Sequence, residues 1–183
     1  MAMKSINPAT GEEIAEFDTW DQATLDDVVT QVGYGFADWA KLTTLEERCL
    51  LLKRMADVLR DDQDILAELI TLEMGKLYSE AQAEVEKCAM LCDYYAEHAP
   101  TQLADEIIES GASKSYVAYL PLGVVLGVMP WNYPFWQVFR FAVPAVTVGN
   151  MALLKHASNV PQCALAIQEV SVKPVIQTVC LPP

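Results

Sequence analysis

Through most of the first hundred residues, apolar side chains recur every three or four positions, the period of an amphipathic helix. Leu25, Val28, Val29, Val32, Phe36 and Trp39 form one stripe. Asp21 stands where a cap is needed, so a helix is expected from there to about Ala40. Leu45, Cys49, Leu52, Met55, Ala56 and Leu59 form a second stripe, and Thr44 followed by Glu47 has the spacing of a capping box at its start. A third helix is expected over Gln63–Met74, ending at Gly75, the residue type best suited to a left-handed cap. A fourth, from Ser79 to about Ala99, carries Ala81, Val85, Cys88, Leu91, Cys92 and Tyr95. The acids fall mostly off these stripes and are expected on solvated faces. Ahead of the helices, Asn7–Gly11 reads as a turn and Glu13–Phe17 as a short strand.

After Pro100 the period changes. Glu106–Ser110 and Ser115–Leu120, rich in Ile, Val and Tyr, predict strands. Pro121-Leu122-Gly123 predicts a turn, and Val124–Met129 is an apolar run suited to a buried parallel strand. Pro134–Val148 is long enough for a helix, with the proline tolerated in its first turn. Met151–Lys155 is a further strand, after which Ser158 or Asn159 caps a helix to about Val170. Strand, helix, strand, helix is the repeat of a doubly wound sheet. The expected fold class is therefore α/β: an N-terminal helical layer, then the first part of a Rossmann-like parallel sheet.

Composition narrows the setting. The 183 residues suit one domain. Apolar residues at 52% and charged ones at 20% exclude a disordered chain. A net charge of −13 repels phosphate, which argues against nucleic acid. The charge is uneven: Glu169 is the only acid after residue 113, and Arg140 is the only charge between Tyr116 and Leu154. A membrane span needs about 20 unbroken apolar residues, and Pro121, Pro130, Pro134 and Pro144 interrupt this stretch, so the interior of a sheet is the better setting. The N-terminal residues lack the apolar core of a signal peptide. Cys49, Cys88, Cys92, Cys163 and Cys180 are odd in number and lack framework spacing, as reduced thiols of a cytoplasmic protein would. Cys88 and Cys92 have no third ligand nearby, so no metal site is expected.

The chemistry concentrates in Val124–Pro134, VVLGVMPWNYP. A strand ends near Met129, placing Pro130-Trp131-Asn132 at its carboxyl end, where open α/β sheets bind ligands. The helix that follows offers free N–H groups and a positive dipole end. Lys155 ends the second strand beside the same crevice, where a lysine can hold a ribose hydroxyl or a phosphate. This supports a nucleotide site. The alternative is that Asn132 only caps the helix and Lys155 is solvated.

The stretch GVVLGVMPWNYPFWQVFRFAVPAVTVGNMALLKHAS, with its Pro-Trp-Asn-aromatic-Pro core and strand-end lysine, resembles the NAD(P)-dependent aldehyde dehydrogenase superfamily. It looks most like the bacterial succinate-semialdehyde dehydrogenases. NPATGEEIA near the start and LEMGK, with Glu73–Lys76, match as well, so the resemblance runs from about residue 5 to about residue 169. It implies that Asn132 is the oxyanion-hole amide for a cysteine thiolate's attack on an aldehyde. It implies that Val128, Met129, Pro130 and Trp131 line the cofactor, and that Lys155 binds the adenosine ribose. Ser158 stands where the family often has an acid that bonds the ribose. Having no negative charge, it repels a 2′-phosphate less, so both NAD and NADP are expected. Arg140 matches an arginine that holds the far carboxylate of a short semialdehyde acid.

The resemblance also implies a single incomplete N-terminal domain over residues 1–183. Residues 103–121 match the strands of a small oligomerisation arm, and residues 170–183 form a divergent tail. The family's glutamate base and nucleophilic cysteine motifs are not matched, and Cys180 lacks the nucleophile's context. The chain alone is therefore expected to be inactive and prone to self-association, either as a homo-oligomer or with a C-terminal half. The alternatives are a non-catalytic module that binds a nucleotide or subunit, and one half of a split enzyme.

Overall fold

The computed structural model describes residues 3–172 and 178–181. It opens on an antiparallel hairpin, β1 (Met3–Ile6) and β2 (Glu13–Phe17), with Met3 opposite Phe17. The sequence carries no strand signal for β1: it is four residues long, and its buried residue is the polar Ser5.

Four helices follow, α1 (Gln22–Leu42), α2 (Leu45–Asp61), α3 (Gln63–Met74) and α4 (Tyr78–Gln102). Their ends follow local chemistry. The Asp21 carboxylate accepts the Thr24 N–H. Thr44 and Glu47 form the full capping box, each side chain accepting the other's backbone N–H. Gly75 ends α3 in the left-handed conformation, at φ +81°. A side chain there would also meet Pro8, whose Cγ lies 2.8 Å from where a Cβ would stand. The buried faces of α2, α3 and α4 pack together around Leu52, Leu59, Ile70, Val85 and Cys88.

The next pair, β3 (Glu106–Ile107) and β4 (Tyr116–Val117), is antiparallel and exposed. Both are shorter than the sequence suggests. Two strands whose residues are all exposed have little packing to extend their pairing.

The second layer is a parallel sheet ordered β5-β6-β7, with β5 (Val124–Val128), β6 (Met151–Lys155) and β7 (Thr178–Leu181). Val124 pairs with Met151 and Val128 with Lys155. β7 lies within the tail expected to diverge from residue 170, and its backbone places Ala152 beside Thr178. Residues 170–172 of that tail end a helix; its residues 173–177, 182 and 183, and the Cys180 side chain, lie outside the described residues. Between β5 and β6 runs α5 (Trp136–Val148), and α6 (Pro161–Val172) follows β6.

β6 is central and buried from Met151 to Leu154. Among the described residues, β5 is covered on one face only. It is the sheet's edge, with Val124, Leu126 and Val128 exposed on one face. Its other face meets α5: at Gly127 a Cβ would stand 2.5 Å from Cε1 of Phe141. Among the described residues, no helix is long and apolar enough to cross a membrane.

Candidate functional site

The carboxyl ends of β5 and β6 lie side by side, and the Met129 N–H donates to the Lys155 carbonyl at 3.0 Å. Past β5 the chain leaves the sheet through Pro130, Trp131 and Asn132, all exposed. Val128 is also exposed, Met129 and Lys155 are half-buried, and Ser158 is exposed in the turn after β6. The crevice therefore presents an apolar rim from β5 and one ammonium from β6. The expected cofactor residues fall on this single rim of the sheet.

Helical hydrogen bonding begins before α5 proper, where the Gln137 N–H donates to the Tyr133 carbonyl at 3.0 Å. Pro134 has no N–H, which leaves Phe135 and Trp136 as the donors orphaned in the first turn. Both donate to Oε1 of Glu84, each at 2.9 Å. Glu84 lies on α4 and is 3% exposed, and its other oxygen is held by the Lys76 ammonium. That buried ammonium also sits 3.7 Å from the centre of the exposed Tyr133 ring, a cation–π contact.

The same arrangement recurs one unit later. Glu73, on α3 and 2% exposed, accepts the Gln162 N–H at 2.9 Å and the Cys163 N–H at 2.8 Å at the start of α6. It also accepts the Ser5 hydroxyl at 2.7 Å. Two expectations fall here. Glu73 and Glu84 are not solvated acids, and neither helix start has its N–H groups free for an anion. Nor do Ser158 or Asn159 cap α6: both are exposed, and the helix starts at Pro161.

No sequence motif marks His156. It is buried at the end of β6, where Nδ1 accepts the Ala157 N–H at 2.8 Å. The other nitrogen, Nε2, therefore carries the proton and donates to the Pro134 carbonyl at 2.8 Å. Burial pushes its pKa down, partly offset by the bond to Pro134. The imidazole ties the end of β6 to the start of α5.

The Asn132 side chain has no hydrogen-bond partner among the described residues, so it does not cap α5. Arg140 is exposed on α5 and pairs with no carboxylate among the described residues. Asn132 lies in the bend before α5, and Arg140 lies within that helix. Beside this loop, a cavity of about 240 Å³ is lined by Lys76, Glu80, Ala83, Glu84, Lys87 and Tyr133. Lys87 rests over the Trp136 ring at 3.9 Å.

Cys49, Cys88, Cys92 and Cys163 are free and buried. Burial raises the thiol of each, and Cys88 and Cys163 are further raised by nearby glutamates. None of the four is poised as a thiolate.

Known proteins resemble this chain over most of its length. The profile of the aldehyde dehydrogenase family matches residues 1–177. A probable NADP(+) succinate-semialdehyde dehydrogenase of Synechocystis is 50% identical over 170 residues, which is 93% of this chain and 37% of that protein. The NADP(+) succinate-semialdehyde dehydrogenase of Mycobacterium leprae is 48% identical over 173 residues, again 93% of this chain and 38% of that protein. The crystal structure of succinic semialdehyde dehydrogenase from Streptococcus pyogenes with NADP+ superimposes with a TM-score of 0.92 at 36% identity. It covers 98% of this chain and 40% of that one. The chain thus spans under two fifths of the length of these curated relatives.

Proposed function

Because this chain belongs to the aldehyde dehydrogenase family, we propose that it supplies the oxyanion amide and part of the cofactor rim of an NADP-dependent succinate-semialdehyde dehydrogenase. The observation that carries this reading is an exposed Asn132 just past the carboxyl end of β5, with no hydrogen-bond partner among the described residues, where Val128 of β5 pairs with Lys155 at the end of β6.

Asn132 donates its side-chain N–H to the oxygen of the aldehyde as a nucleophile adds to the carbon. A donor of this kind contributes roughly 2.7–4 kcal/mol to the transition state. Arg140, lacking a carboxylate partner among the described residues, holds the far carboxylate of the substrate. Val128, Met129, Pro130 and Trp131 contact the cofactor through the apolar rim, and Lys155 holds its adenosine ribose. Ser158 presents a hydroxyl where an acid would repel a 2′-phosphate, which supports NADP over NAD. When bound, the nicotinamide accepts the hydride that leaves the aldehyde carbon.

The attacking thiolate lies outside the four described buried cysteines. Residues 1–183 are one incomplete cofactor-binding domain, with residues 103–121 as a subunit-contact arm and a tail from residue 170. The exposed Ile107, Tyr116, Val117 and Leu120 support that role for the arm. The buried reduced thiols suit a cytoplasmic setting.

The test is calorimetric. The chain binds NADP+, Lys155→Met weakens binding at least tenfold, and Asn132→Ala leaves it unchanged. Given succinic semialdehyde and NADP+, the chain alone forms no NADPH. Absence of NADP+ binding, or turnover by the isolated chain, overturns the reading.

A further inference from the structure

The residue that caps α5 is not the one its sequence offers. Phe135 and Trp136 carry the only first-turn N–H groups of this helix that need a partner, because Pro134 has none. The nearest side chain with a short acceptor is Asn132, three residues before Phe135. This is the spacing at which asparagine commonly caps a helix. Yet both N–H groups go to Glu84 of α4, and Asn132 has no partner among the described residues.

We propose that Glu84 is a positioning residue. By taking both donors it keeps Asn132 out of the cap and leaves the amide free to face the crevice. The arrangement holds on every side. Lys76 neutralises Glu84 and lies against the Tyr133 ring. The His156 imidazole holds the Pro134 carbonyl from β6. Residues 133–136 are therefore each tethered, while the Asn132 side chain just before them is not. Without the carboxylate, the two orphan donors recruit the Asn132 carbonyl oxygen, and the amide turns toward the helix.

The significance for catalysis rests on the oxyanion reading of Asn132. The test does not, because it reads helix capping with neither aldehyde nor nucleotide present. Lys76→Met/Glu84→Leu removes the tether without leaving a lone buried charge. Lys76→Met/Glu84→Gln keeps an acceptor oxygen in place. Each is made in the full chain with and without Asn132→Ala, then followed by urea unfolding and by NMR of the Asn132 side-chain amide.

In the wild type, Asn132→Ala leaves the unfolding midpoint unchanged, and the side-chain amide is as mobile as an exposed one. In the leucine variant, Asn132→Ala lowers the folding equilibrium constant about fivefold, and the amide becomes as ordered as the backbone. The glutamine variant behaves as the wild type. Equal effects of Asn132→Ala in all backgrounds overturn the proposal. So does an ordered Asn132 amide in the wild type. If the leucine variant does not fold, recruitment of Asn132 in the glutamine variant, which retains the acceptor, still overturns it. A failure of NADP+ binding would bear on the proposed function alone.

Discussion

Glu73 and Cys163 are joined by a hydrogen bond from the Cys163 backbone N–H to the Glu73 carboxylate, at 2.8 Å and across 90 residues of chain. One carboxylate thereby closes the N-terminus of α6, anchors β1 through Ser5 and locks the helical layer to the sheet. A negative charge at a helix start is favourable because the orphan N–H groups and the helix dipole both point at it. Glu84 does the same for α5.

Breaking this junction should cost more than an ordinary surface change. Glu73→Ala leaves two helix N–H groups and the Ser5 hydroxyl without their acceptor. It is expected to destabilise the chain by roughly 2–5 kcal/mol, with Glu73→Gln nearer the lower end. Urea unfolding monitored by circular dichroism measures both.

His156 predicts an acid-sensitive fold. Burial holds its pKa below the ordinary value in the folded chain, so the unfolded chain binds a proton first as pH falls. Stability from this group is complete above about pH 6.5, and falls below it by at most ~1.4 kcal/mol per pH unit down to the folded value. The stability difference between wild type and His156→Gln, whose amide can still donate to the Pro134 carbonyl, should be flat from pH 8 to 7. It should then shift against the wild type as pH drops through 6.

Gly127 predicts a packing conflict. A methyl group there would stand 2.5 Å from Cε1 and 2.7 Å from Cδ1 of Phe141. Gly127→Ala should destabilise by about 1–3 kcal/mol. Phe141→Leu should recover part of that loss. Additive costs in the double variant would show that the two positions do not touch.

The cysteines predict low reactivity. Cys49, Cys88, Cys92 and Cys163 are buried, and their thiols are raised; that of Cys92 lies well above the ordinary value. In native buffer at pH 7.5 these four should resist alkylation by N-ethylmaleimide for hours and react within minutes in urea. Peptide mass spectrometry resolves each site. Rapid native labelling of any of them would contradict the packing described.

Local signals were legible in the sequence. The Thr44–Glu47 box, the Asp21 cap and the left-handed Gly75 each depend on atoms within a few residues, and each appears where its motif placed it. The run VVLGVMPWNYP likewise places Asn132 beyond a strand end. What escaped were long-range features. A buried glutamate on a helix looks the same in sequence as a solvated one, and nothing near Glu73 or Glu84 announces backbone donors 51 to 90 residues away.

The order of residues settled the helices, the two parallel strands and the chemical types at the strand ends, because periodicity, capping and turn preferences act over one or two helical turns. Only the folded chain decided which charges are buried, which helix starts are closed and which amide stays free. Those outcomes depend on where distant backbone N–H groups meet a carboxylate in a medium too poor in water to satisfy either alone.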